Sequence, residues 1–246
     1  GGIVESAREI GCAPGAEITV RGLFHNTPAR FKFLKSDAAE AGRISEMLGH
    51  LALAYPHIAF RLTNNGNETL ATDGTGDAFN ALVGVLGRET ARQMLPIAPN
   101  GENDEHNIRV EGFAGRPQLT RANRNGQIFF VNGRAIKNGA ISHAFAAAYE
   151  GLLHGHKRHP MGVLFINLPP NAVDVNVHPT KSEVRFAREG EVHHAVRVAV
   201  RDTLVASQLA PEWGTAAAPA GSGIRVPGFG NGAGSTPAAP SPLVSH

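Results

Sequence analysis

The chain has 246 residues, 42% of them hydrophobic and 18% charged, a composition that excludes a wholly disordered protein. Lys+Arg 23 against Asp+Glu 21 leaves a formal charge of only +2, so any contact with nucleic acid must come from local clustering of cations. A single cysteine, Cys12, excludes a disulfide scaffold and fits a reducing compartment, and no apolar run reaches the roughly 18–20 residues of a membrane-spanning helix.

The opening GGIVESAREI has no initiator Met and no basic-then-apolar leader pattern, so the chain is expected to be a piece of a longer protein. Glu17–Val20 is a short β-prone run, followed by the polar stretch Phe24-His25-Asn26-Thr27-Pro28-Ala29-Arg30. A helix is predicted to start with Asp37 as N-cap and Glu40 three residues later, a capping box. Its expected apolar face is Ile44, Met47, Leu48, Leu51 and Tyr55, and Pro56 ends it. Ile58, Phe60 and Leu62 alternate as a half-buried strand. Asn65-Gly66 is a hairpin turn because both residues tolerate φ > 0, and Glu68–Thr72 is the return strand.

Asp73-Gly74-Thr75-Gly76 reads as a loop and Asp77 as the cap of a helix that shows Phe79, Leu82, Val83 and Leu86 on one face before Gly87. A domain boundary is expected in this loop. Strands follow near Asn107–Phe113 and Gln127–Val131, with an Asn132-Gly133 turn. A helix then carries Ile141, Phe145, Tyr149 and Leu152. Gly162–Leu168 is apolar except for Asn167, hence a strand buried on both faces. Val173, Val175 and Val177 alternate with Asp174, Asn176 and His178, and Val192, Val196, Val200 and Leu204 mark a last helix. From Pro211 to His246 there are 6 Pro, 7 Gly and 7 Ala among 36 residues, with only Glu212 and Arg225 charged. Such a stretch cannot bury enough surface to offset its chain entropy, and it reads as a flexible tether.

Two signals point to chemistry. No acidic residue lies between Glu111 and Glu150, yet Arg116, Arg121, Arg124, Arg134 and Lys137 do; Lys157 and Arg158 extend the run. A second acid-free window, Gly22 to Ser36, holds Arg30, Lys32 and Lys35. These cations read either as a phosphate-binding surface or as a solvated face. The second signal is Val173 through Phe186, where Lys181 in a Pro-containing loop is either a fixed charge for a phosphate or a solvated residue. Other candidates carry less. His154, His156 and His159 lie in a loop without Cys or carboxylate, the adjacent His193 and His194 point different ways, and Asp73–Asp77 lacks the distal Glu of a calcium loop. No metal site is expected. P-loop, nucleophile-elbow and dinucleotide motifs are absent.

Leu23-Phe24-His25-Asn26-Thr27-Pro28-Ala29-Arg30-Phe31-Lys32-Phe33-Leu34, then Phe130-Val131-Asn132-Gly133-Arg134, then Val173 through Phe186 together resemble the MutL family of DNA mismatch repair proteins, within the GHKL ATPase superfamily. The resemblance covers residues 1 to about 210. It implies an α+β chain: residues 1–75 as the end of a GHKL ATPase sandwich, 76–210 as a transducer domain with a ribosomal-protein-like β-α fold, and 211–246 as a disordered linker. It implies a longer protein that hydrolyses ATP with Mg2+, dimerises on ATP and binds DNA. That protein would couple a mismatch sensor to downstream repair factors in a bacterial cytoplasm, at the nucleoid and without membrane attachment.

By the same resemblance Lys181 contacts the ATP γ-phosphate, and Gly15-Ala16 stands where the family usually has Gly-Thr. The Asn26–Arg30 loop joins the two domains. The DNA face comprises Arg30, Lys32, Lys35, Arg116, Arg121, Arg124, Arg134 and Lys137, with Phe31 where a basic residue is common. The family's helix with the catalytic Glu and metal-binding Asn, its D-x-G-x-G and its Gly-rich lid are absent and would precede Gly1. The chain by itself is therefore expected to hold no nucleotide and to be inactive. Two alternatives stand beside this reading: a non-catalytic nucleic-acid-binding module, and the transducer of another GHKL machine such as a type II topoisomerase subunit.

Overall fold

In a computed structural model of the chain the described residues are 18–99, 107–153, 158–174 and 184–209. They fall into two compact units divided between Gly42 and Arg43. Gly15, Ala16, Val175, Val177, Lys181 and the Pro/Gly/Ala-rich stretch lie outside the described residues.

The first unit holds a single turn of helix, α1 (Pro28–Phe31), with Pro28 at the start, where its missing N–H is no loss. Ile18 to Val20 form no strand and are exposed. β-propensity alone does not make a strand without a partner to complete its ladder. The helix α2 (Asp37–Ala54) begins here. Its box closes differently from the expectation: the Glu40 carboxylate accepts the N–H of Lys35 at 2.9 Å, and Glu40 N–H donates to Ser36 at 3.0 Å.

The second unit opens on the rest of α2. The buried face is Gly49, Ala52, Leu53 and Ala54. The expected stripe is not the core: Ile44 is 50% and Met47 60% exposed, and Leu51 is also exposed. Helical periodicity is satisfied twice on this sequence, and the buried side includes small residues that allow close packing: a Cβ on Gly49 would stand 3.1 Å from Val85 of the next helix. The hairpin β1 (Arg61–Asn64) and β2 (Asn67–Ala71) turns at Asn65 (φ 50) and Gly66 (φ 81) as the Asn-Gly pair predicts. Next come α3 (Ala78–Leu86), capped by Asp77, and α4 (Arg88–Arg92).

A five-stranded sheet organises the rest. Its strands are β3 (Met94–Ile97), β4 (Arg109–Gly115), β6 (Gln127–Val131), β7 (Arg134–Ile136) and β9 (Gly162–Asn167), in the order β3-β4-β9-β6-β7. Only β6 and β9 are parallel. The small pair β5 (Thr120–Arg121) and β8 (His159–Pro160) lies beside it in sequence, and β10 (Val173–Asp174) pairs with β11 (Arg185–Phe186). The helices α5 (Gly139–Ala148) and α6 (Glu189–Leu209) complete the unit.

The apolar runs follow from two-sided burial. Leu164 and Ile166 of β9, with Phe129 and Val131 of β6, face a core shared with Ile141, Phe145 and Tyr149 and with Val192, Val196, Val200 and Leu204. Val163, Phe165, Ile128 and Phe130 face the opposite core with Leu53, Ala54, Leu82 and Ala91. The result is a sheet between two helical layers, an α+β fold. A Cβ on Gly162 would run into the ring of Phe145, so glycine lets β9 start beneath α5 without overpacking.

Candidate nucleic-acid interface

Four residues of α2 at helical spacing, Arg43, Glu46, Met47 and His50, form one wall of a groove of about 520 Å³. The facing wall comes from Arg124 and Asn125, from the start of β6, and from Lys137 and Asn138 between β7 and α5. Each cation is positioned by local structure. Arg124 opens a turn of 3-10 helix, residues 124–126, whose cap Asn123 accepts the N–H of Asn125 at 3.1 Å. Lys137 precedes Asn138, which caps α5 by accepting the N–H of Ile141 at 3.0 Å and donates to the Val184 carbonyl at 3.2 Å.

Arg43, Arg124 and Lys137 line the groove together with one carboxylate, Glu46, which lies 3.7 Å from the Lys137 ammonium. Both partners are exposed, so the pair contributes little and leaves the groove positive. His50 adds no charge at neutral pH. Burial, the largest effect, holds its pKa below the ordinary 6.5; Glu46 opposes this and Lys137 reinforces it. Gln127, one of the lining residues, carries an unmet acceptor. Gln127 donates its amide to the Pro160 carbonyl at 3.2 Å, while its buried Oε1 has no partner among the described residues. Such an oxygen is costly unless a water or a ligand donor reaches it.

Of the basic residues singled out in the sequence, Arg124 and Lys137 line this groove. Arg121 is on β5 with Nε 3.3 Å from the Met161 sulfur, and Arg116 and Arg134 are exposed outside the lining. Arg30, Lys32 and Lys35 are exposed on the first unit. Lys181, Lys157, His154 and His156 lie outside the described residues. The apolar stripe expected on α2 does not include Arg43 and His50; the signal that finds them is the polar spacing of Arg43, Glu46 and His50 along one side of the helix. No three His, Cys, Asp or Glu side chains among the described residues group to hold a metal. The Asp73 carboxylate is occupied by the backbone and hydroxyl of Thr75 and the amide of Asn80, and the Thr75 N–H above all holds its pKa below the ordinary range.

The family described as "DNA mismatch repair protein, C-terminal domain" matches residues 82–205. The DNA mismatch repair protein MutL of Symbiobacterium thermophilum is 46% identical over 227 residues, which is 92% of this chain and 34% of that protein. The MutL of Desulforudis audaxviator is 45% identical over 236 residues, 92% of this chain and 40% of that protein. The chain therefore spans between a third and two fifths of the length of these relatives. A crystal structure of the N-terminal domain of a DNA repair protein superposes with a TM-score of 0.62 at 22% identity, covering 76% of this chain and 60% of that one. That likeness is one of fold.

Proposed function

The chain belongs to the family of DNA mismatch repair proteins, and from that premise we propose that its second unit binds the phosphate backbone of DNA through the groove of Arg43, Arg124 and Lys137. The observation that carries this reading is the convergence of three cations from three separate elements on one concave surface in a chain of nearly zero net charge. Backbone cations positioned this way neutralise phosphates and release counterions without reading bases.

The wider reading extends to the longer protein. Residues 1–75 belong to the end of an ATPase domain, 76–210 to a transducer and 211–246 to a tether. The longer protein is an ATPase that uses ATP and Mg2+, dimerises on nucleotide binding, and links a mismatch sensor to downstream repair factors at the bacterial nucleoid in the cytoplasm. In it Lys181 contacts the terminal phosphate and Gly15-Ala16 lies by the nucleotide. These three residues are outside the described ones, and the DNA-binding proposal uses no nucleotide. The chain alone lacks a general-base carboxylate in a nucleotide motif, so it does not turn over ATP. No helix among the described residues is long and apolar enough to cross a membrane.

The test is a salt titration of the purified chain on a random-sequence duplex, read by fluorescence anisotropy. Binding should weaken linearly on a log–log plot, and Arg124→Glu with Lys137→Glu should cost at least about tenfold at low salt. Arg116→Glu, outside the groove, should cost less. Equal losses for all three, or none, would remove the groove from the proposal.

A further inference from the structure

We propose that His143 and His193 form a two-histidine site for a divalent first-row transition cation such as Zn2+, joining α5 to α6. His143 Nδ1 and His193 Nε2 face each other at 3.0 Å, with ring centroids 5.3 Å apart and planes tilted by 33°. Two nitrogens that share one ion at roughly 2.0–2.1 Å, at angles between a right angle and the tetrahedral value, stand about 2.9–3.4 Å apart. The observed spacing lies in that range. The nitrogens meet head-on, so each ring turns about its Cβ–Cγ bond to aim its lone pair at a common point. His143 is exposed and His193 half-buried, so both rings have room to turn and water can fill the remaining coordination positions.

The backbones that carry the pair are fixed independently of it. Ile141, Ala144, Phe145 and Ala148 of α5 and Val192, Ala195, Val196 and Ala199 of α6 are buried in one core, with alanines keeping the helices close. One to two turns further on, Arg201 of α6 donates to the carbonyls of Ala148 at 3.1 Å and Glu150 at 2.8 Å. The two helices therefore run in the same direction, and the Arg201 bonds hold their register on the C-terminal side of His143 and His193. Rigid elements of this kind present ligands more reproducibly than loops do.

The ligand set selects the ion. Two imidazoles, with no third Cys or carboxylate grouped with them among the described residues, favour Zn2+, Ni2+ or Cu2+ over the oxygen-seeking Mg2+ and Ca2+. The ion takes the place of the proton now shared between the rings. That proton moves, through solvent, to the outer nitrogen of its own imidazole, so both rings stay neutral and no net charge leaves the protein. The sequence offered His193 only beside His194, because His143 and His193 are fifty residues apart and only the packing of α5 on α6 brings them together.

Ions that bind only the folded chain raise its stability. The experiment is thermal denaturation of the full chain with ZnCl2 and, separately, MgCl2, together with NMR of the histidine rings during a Zn2+ titration. Excess Zn2+ should raise the melting midpoint by about 2–4 °C, Mg2+ should not, and the His143 and His193 ring signals should shift together. His143→Gln and His193→Gln should each reduce apparent Zn2+ affinity at least tenfold, whereas His194→Gln, one position along α6, should not. A midpoint shift that survives either Gln substitution, a wild-type chain that shows no shift, or movement of only one of the two ring signals overturns the site.

Discussion

The side-chain amide of Asn132 closes both of its hydrogen bonds on the backbone of Leu168, with Nδ2 donating to the carbonyl and Oδ1 accepting the N–H, each at 3.0 Å. Asn132 N–H also donates to the Ile166 carbonyl at 2.9 Å. The residue sits at φ 48 in the turn between β6 and β7, followed by Gly133 at φ 77. A turn residue thus doubles as a staple from the edge of the sheet to the end of its central strand. In the segment Phe130–Arg134, Asn132 is therefore explained by architecture and Lys137, a few residues on, by the groove.

Asn132→Ala should lower the unfolding free energy by about 2–3 kcal/mol, the sum of two hydrogen bonds and a positive φ without a suitable side chain. Asn132→Gly should cost less, because glycine keeps the backbone conformation and loses only the bonds. Urea denaturation of the two variants reads the order directly; equal midpoints would show that the staple carries no stability.

Gly162→Ala should destabilise by about 1–3 kcal/mol through overpacking against the Phe145 ring. Phe145→Leu in the same chain should recover part of the loss by clearing the space. A melting curve for the double variant below both single variants would argue against that contact as the cause.

One buried and one half-buried group give opposite pH dependences. Burial raises the pKa of Glu111 on β4, which Arg109 opposes, and the carboxyl receives a long contact of 3.5 Å from Asn167. Its contribution to stability is full below the unfolded value near 4.5 and is lost as pH rises through the folded value. Glu111→Gln should therefore raise the urea midpoint at pH 7, by a margin that shrinks towards pH 4.5. The depressed pKa of His50 acts the other way: stability holds above about pH 6.5 and falls as the unfolded chain takes up its proton. His50→Gln should flatten the stability profile just below pH 6.5.

In the complete protein, Lys181→Ala should slow ATP turnover and weaken nucleotide-driven dimerisation, since a charge-assisted hydrogen bond is worth about 1.5–3 kcal/mol. Lys181→Arg should restore only part, because a planar fork does not reproduce a point charge. DNA affinity without nucleotide should stay within about twofold of wild type, for the groove cations lie on other elements. Wild-type turnover and dimerisation in Lys181→Ala would remove the residue from the nucleotide site.

What the sequence determined by itself is local. Asn65-Gly66 and Asn132-Gly133 turn as their tolerance of positive φ requires, and Asp77 caps α3 with its carboxylate on the Phe79 and Asn80 amides at 2.7 and 3.4 Å. The runs Gly162–Asn167 and Gln127–Val131 are central strands because every second residue feeds a different core. The four-residue spacing of Val192, Val196, Val200 and Leu204 likewise fixes which side of α6 is buried. Each of these depends on one segment's backbone or on a stripe with no rival.

The tertiary structure decided the rest. α2 carries two candidate stripes, and the packing buries Gly49, Ala52 and Leu53, with Gly49 set close against Val85 of α3, while Ile44, Met47 and Leu51 stay exposed. Clustering of charge along the chain identifies basic residues but not the surface they share. Arg124 and Lys137 meet Arg43 across a groove only because α2 packs over β6 and β7, while Arg116 and Arg134, inside the same acid-free window, face elsewhere. Spacing along one element is a property of the chain. Convergence of side chains from several elements is a property of packing, and no periodicity encodes it.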